Sequence, residues 1–153
     1  MRFAHVNLVV RDLKSMIAFY EDVFGCQHIG QTRNLHGRWL EDLTGIESAH
    51  IVGEHLLLPG TSDATLEIFR YDPAFDLDGG TPLYPVNRPG FGHIAFEVVN
   101  VEDAVAALRE HGGATVGDVV SVGYEDGRTL TVVYARDPEG NIIELQAWSY
   151  AER

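Results

Sequence analysis

The sequence predicts an α+β fold of two β-α-β-β-β modules, on three observations. A shift of 88 residues lays His5-Val6-Asn7-Leu8-Val9-Val10 over His93-Ile94-Ala95-Phe96-Glu97-Val98, and the apolar spacing downstream is kept, with Leu13 on Val101, Ile17 on Val105 and Gly25 on Gly113. After each matched helix the pattern turns to short β-type runs broken by turn residues. Between the halves, residues 72–90 hold four of the six prolines (Pro73, Pro82, Pro85, Pro89) and Gly79-Gly80, a linker composition. Module one is therefore 1–71 and module two 91–148.

In module one, the first strand alternates Ala4, Val6, Leu8 and Val10 against Phe3, His5, Asn7 and Val9. Asp12 then serves as N-cap of a helix whose stripe is Leu13, Met16, Ile17, Tyr20 and Phe24, ending at Gly25. A segment about eleven residues longer than its counterpart follows and carries His36, Arg38 and Trp39, read as a surface loop or a cover over a site. Strands are expected at 49–58 and 65–71, with Leu66 and Ile68 opposing Glu67, Phe69 and Tyr71. In module two, Asn100 opens a helix with Val101, Ala104, Val105 and Leu108 at i, i+3, i+4, i+7, and Gly112-Gly113 closes it. Strands follow at 129–135 and 141–148, joined by the turn Asp137-Pro138-Glu139-Gly140-Asn141.

Composition narrows the function. The 153 residues are 45% hydrophobic and 22% charged, enough for a packed core. Twenty-three acidic residues against eleven basic give a net charge of -12, which opposes binding to nucleic acid or anionic membrane. No apolar run approaches the ~18 residues of a membrane span, so a cytoplasmic protein is expected. A single cysteine, Cys26, excludes an intrachain disulfide and a Cys-rich zinc site. Neither a Gly-rich phosphate loop, a dinucleotide fingerprint nor a Ser-His-Asp order appears.

Alternation places His5, Glu67, His93 and Glu144 on the face turned away from the helices, at the first and last strand of each module. A lone Glu or His on a strand's outer face is ordinarily solvated. Two repeated His/Glu pairs are another matter, because Phe69 and Tyr71 follow Glu67, and Trp148 follows Glu144, as cavity-lining side chains would. Two carboxylates and two imidazoles suit one divalent ion per site, Mn, Fe, Co or Ni, with Zn also compatible. Glu47 is a second carboxylate able to exchange a proton, against the plainer reading of a solvated loop glutamate. Tyr124, Arg128 and Tyr134 are weaker substrate contacts, and His28, His50, His55 and His111, lacking symmetric partners, read as structural or solvated.

The duplicated module, the four ligands and the Asp137-Pro138-Glu139-Gly140-Asn141 turn resemble the vicinal oxygen chelate superfamily, the group of glyoxalases, methylmalonyl-CoA epimerases, extradiol dioxygenases and bleomycin-resistance proteins. The resemblance runs from residue 1 to about Trp148. It implies a single glyoxalase-like domain with curved sheets enclosing a metal held by His5, Glu67, His93 and Glu144, a small substrate with vicinal oxygens, a metal-stabilised enolate, and a homodimer. Departures divide its branches. Glyoxalase I enzymes clamp glutathione with Arg and Asn four residues after the first and second ligands, where this chain has Val9 and Tyr71. Epimerases usually carry Gln at the Glu67 position, extradiol dioxygenases use only His, His and Glu, and bleomycin-type proteins lack the ligands. The resemblance therefore implies a metal-dependent lyase or isomerase with Glu144 or Glu47 moving the proton. The alternatives are a sequestering protein without turnover and an iron-dependent dioxygenase.

Overall fold

The computed structural model describes residues 2–75 and 83–150 and has the α+β architecture expected, with two sheets and three helices. The chain divides into two units, Met1–Gly80 and Thr81–Arg153, each with its own sheet. The linker expected at 72–90 falls partly outside the described residues. Among those described, no helix is long and apolar enough to cross a membrane.

In the first unit, β1 (His5–Val9), α1 (Leu13–Phe24), β2 (Gln27–His36), α2 (Arg38–Thr44), β3 (His50–Leu57) and β4 (Thr65–Asp72) form a sheet of order β1-β4-β3-β2. β1 runs parallel to β4, and the other pairs are antiparallel. Asp12 caps α1 by accepting from the Ser15 N–H at 3.1 Å, and Gly25 ends it at φ +68°, a left-handed conformation suited to glycine. The cap hydrogen bonds hold the Asp12 carboxyl below its ordinary range. Met16, Phe19 and Tyr20 are the buried residues of α1, so Phe19 joins the expected stripe through edge-on contacts with Tyr20 and Phe24. The opposing strand residues Leu56, Leu66 and Ile68 are fully buried.

Residues 38–44, expected as part of a loop, are helical. Gly37 and Gly45 bracket α2, the second again left-handed at φ +69°. Leu40 anchors it by packing into a cluster with Ala49, Ile51 and Phe69, joined by Leu35 and Tyr71. These strand residues belong to the set that alternates with Leu56, Leu66 and Ile68, so α2 covers the sheet face that carries Glu67.

In the second unit, β5 (Ile94–Glu97), α3 (Val101–Glu110), β6 (Ala114–Thr115), β7 (Val120–Gly123), β8 (Arg128–Arg136) and β9 (Ile142–Tyr150) give the order β5-β9-β8-β6, with β7 also paired to β8. β5 and β9 are parallel, as β1 and β4 are. Asn100 caps α3 by accepting from the Asp103 N–H at 2.9 Å, and Val101, Val105 and Leu108 are buried. The β8–β9 turn is held by Asp137, which is buried. Its Oδ1 accepts from the backbone N–H of Glu139 (3.0 Å) and Asn141 (2.9 Å), and its Oδ2 from Asn141 Nδ2 (2.8 Å). Gly140 takes φ +88° there, which explains why the turn needs both Asp and Gly.

Candidate metal centre

Parallel pairing decides where the ligands fall. Asn7 of β1 is opposite Glu67 of β4, and Ala95 of β5 is opposite Glu144 of β9. His5 and His93 each lie two residues before those positions, on the same face. Both units thus repeat one diagonal contact. His5 Nε2 is 3.4 Å from Glu67 Oε2, and His93 Nε2 is 3.5 Å from Glu144 Oε2. These separations are long for a hydrogen bond to a carboxylate. They suit two atoms bound to one ion at about 2.1 Å each, and the His/carboxylate donor set fits a divalent metal. Each unit holds one pair. Among the described residues no group of three or more His, Cys, Asp or Glu is arranged as a ready metal cage.

The two glutamates have different surroundings. Glu67 is buried at 9% exposure and is engaged at both oxygens. Oε2 faces His5 and accepts from Asn7 Nδ2 at 3.4 Å, while Oε1 lies 2.9 Å from His55 Nε2. His55, expected to be structural or solvated, is instead the cross-strand neighbour of Glu67. Burial pushes its imidazole below the ordinary range, Glu67 partly opposes that, and Arg33 reinforces it. A neutral ring at pH 7 has one N–H, and the short contact places it toward Oε1.

Tyr134 occupies the corresponding position in the second unit. It is paired with Glu144 across β8 and β9, as His55 is with Glu67 across β3 and β4, and its ring centroid is 5.1 Å from that of His93. His55 therefore does have a symmetric partner, one of a different residue type. The insertion carrying α2 and a β3–β4 turn of different length hide the match from any single sequence shift. Strand register, once known, reveals it.

Beside Glu67, the first unit opens into a cleft of about 440 Å³. It is lined by Leu35, Trp39, Leu43 and Ile46 and, from the sheet, by Ile51, Phe69 and Tyr71, with the paired residues Asn7 and Glu67 beyond Phe69 along the strands. The segment read as a surface loop or a cover over a site thus contributes Trp39 to this cleft. Arg38 is occupied on the outside of α2 by Asp42 at 2.9 Å and Glu41 at 3.9 Å, and His36 is exposed against the ring of His50. Glu47 lies in the exposed turn between α2 and β3, next to Ile46 of the cleft but outside its lining. In the second unit, Tyr124 and Arg128 both contact Trp148, with ring centroids 5.4 Å apart and the guanidinium carbon 4.7 Å from the indole.

The other expected bystanders have partners of their own. His28 Nε2 is 2.6 Å from Glu54 Oε2, His50 is 2.7 Å from Asn34, and His111 reaches the Ala107 carbonyl at the end of α3. Cys26 is buried behind α1, and burial with the nearby Glu21 pushes its thiol up to about 11.

Comparison with known proteins agrees with this architecture. A lactoylglutathione lyase of Salmonella typhimurium is 28% identical over 145 residues, covering 95% of this chain and 91% of its own. A glyoxalase family protein from Bacillus cereus superposes with a TM-score of 0.80 at 30% identity, covering 97% of this chain and 94% of its own. The genomically encoded fosfomycin resistance protein FosX of Listeria monocytogenes shares the fold, at TM-score 0.59 and 18% identity over 100% of this chain and 95% of its own. The family model of the glyoxalase/bleomycin resistance protein/dioxygenase superfamily matches residues 2–145, and the chain belongs to that superfamily.

Proposed function

We propose that the chain is a divalent-metal-dependent lyase or isomerase of the glyoxalase/epimerase type, acting on a small substrate with vicinal oxygens. The observation that carries this reading is the repeated diagonal pair, His5–Glu67 and His93–Glu144, set by equivalent register and nearly equal spacing in both units. His5, Glu67, His93 and Glu144 would hold one ion, with the charge of two carboxylates balancing its own. A divalent ion so held supplies Lewis-acid polarisation of a substrate carbonyl.

The protein's own groups divide the remaining work. Glu67 is fixed by Asn7 and His55 and is suited to hold position. Glu144 has His93 at 3.5 Å and, among the described residues, no second side-chain donor, so it is the carboxylate with freedom to take a proton from carbon α to the carbonyl. Glu47 would act as a second acid/base only by reaching in from its turn. Lactoylglutathione lyases among the relatives are consistent with a lyase. A homodimer is part of the proposal.

The test is exchange of a carbon-bound proton with deuterated solvent in α-oxygenated carbonyl compounds, together with metal content. One divalent ion per site, exchange lost on chelation and lost in Glu144→Gln, is the expected result. Equal loss of metal in His5→Ala and His28→Ala would remove the ligand assignment, because His28 belongs to a separate cluster with Glu54.

A further inference from the structure

We infer that the cleft under α2 is the specificity subsite for the substrate, and that it takes an uncharged apolar group, an aromatic ring or branched alkyl chain, borne beside the two oxygens. This inference rests on the metal-centre reading above and names its substrate class.

Trp39, Leu43 and Ile46 are 54%, 73% and 37% exposed, and all three line the same cleft. Large apolar side chains gathered in this way mark a surface that something covers. The volume of about 440 Å³ lies in the range of small-molecule sites. The cleft also ends on Glu67, so a molecule in it reaches the candidate metal ligand.

Its floor is built for contact with a flat or branched group. Phe69 lies across Gly53 so closely that a Cβ there would collide with the ring and with the Ile68 carbonyl. The glycine gives up a side chain and leaves the phenyl face to the cleft.

Charge selects against an ionic arm. Among the described residues the lining contains no Lys or Arg, and its only charged residue is Glu67. Thr44 is already committed to the Leu40 carbonyl at 2.7 Å. Arg33, paired with Gly53 across β2 and β3, is on the same sheet face but outside the lining. A carboxylate carried on an arm that extends away from the ion would be desolvated against Leu35, Leu43 and Ile46, with no Lys or Arg of the described lining to receive it. An apolar arm meets neither cost.

The experiment uses hydroxamates, which present two vicinal oxygens, on the Co²⁺-loaded full chain. Acetohydroxamate, phenylacetohydroxamate and succinohydroxamate differ in carrying a methyl, an aryl or a carboxylate arm. The expected order is aryl tighter than methyl by about 30-fold, the burial of one ring, with the carboxylate arm weaker than either. Trp39→Ala and Leu43→Asp should each remove most of the aryl advantage. If acetohydroxamate binds but the aryl arm gains nothing, the subsite assignment is overturned while the metal centre stands. A carboxylate arm that binds tightest and loses its gain in Arg33→Gln overturns it as well. Dissociation of a dimer by Leu43→Asp with the arm ratio unchanged would assign the patch to a second copy of the chain and refute the ligand. If the chain takes up no Co²⁺, the metal reading fails separately. Phenylacetone titrated into Trp148→Phe protein then reads the cleft alone: a saturable change in Trp39 fluorescence supports it, and no change overturns it.

Discussion

Replacing His55 with Ala removes a neighbour that touches no proposed substrate atom, yet it should weaken metal binding. His55 Nε2 is 2.9 Å from Glu67 Oε1, and the two side chains are 18% and 11% exposed. A hydrogen bond to a charged acceptor is worth about 1.5–3 kcal/mol when well formed, and residual exposure brings the expected loss here to about 1–2 kcal/mol. Part of that loss appears in the metal-free protein as a lower urea midpoint. The rest appears in the ion's affinity, because a carboxylate freed at Oε1 must be reoriented before Oε2 can bind, an effect of about 10- to 100-fold for outer partners of metal ligands. Competition with a chromophoric chelator for Co²⁺ measures it, and His55→Gln, which restores an N–H at similar reach, should recover much of the difference. The reasoning is refuted if His55→Ala binds Co²⁺ as tightly as the parent while Glu67→Ala does not bind.

Further outcomes concern Cys26 and the sharing of sites between chains. Cys26, with its thiol pushed up to about 11 by burial and Glu21, is roughly one part in a thousand thiolate at pH 8, so iodoacetamide should label it only after unfolding, and Cys26→Ser should keep its metal. Its raised folded value also means that the unfolded thiol, ordinarily near 9, ionises first: its contribution to stability is complete below that pH and is lost as pH climbs toward 11, which thermal melts across that interval would show. For a homodimer whose sites draw one His/Glu pair from each chain, mixing His5→Ala with Glu144→Ala restores metal to about a quarter of the sites after subunit exchange, whereas no recovery assigns both pairs to one chain.

What could be read from the sequence was whatever obeys a local or a repeated rule. The caps Asp12 and Asn100, the stop at Gly25 and the Asp137–Asn141 turn are each fixed by hydrogen bonds within a few residues, so composition alone locates them. The His/Glu pairs were legible because β1 and β5 match without gaps and alternation is strict. α2 was missed although Gly37 and Gly45 bracket it, since seven residues are too few for a clear period and its hold comes from Leu40 meeting Ile51 and Phe69, both distant in sequence. His55 was missed for a related reason. Its importance depends on which residue lies across the strand, and that register is set by a turn that differs between the two units.

The repeat also shows where divergence is tolerated. A His two positions ahead of a residue facing Glu can reach it only while the two strands remain parallel and in that register, so β1–β4 and β5–β9 retain the same arrangement. Around those pairs the units differ in kind. The first surrounds Glu67 with Asn7 and His55, whereas the second puts Ala95 and Tyr134 in the corresponding places beside Glu144. Donors on both oxygens make Glu67 costly to move, because each displaced contact leaves a buried polar group short of a partner. Among the described residues Glu144 has no such second donor, and its cross-strand neighbour Tyr134 lies against the ring of His93. On the proposed function, the duplicated His/Glu pairs would assign anchoring to one half and proton movement to the other. Exchanging the outer residues, His55→Tyr with Tyr134→His, should reduce solvent proton exchange more than metal content, and a double variant that loses both in proportion would show that the asymmetry has no role in chemistry.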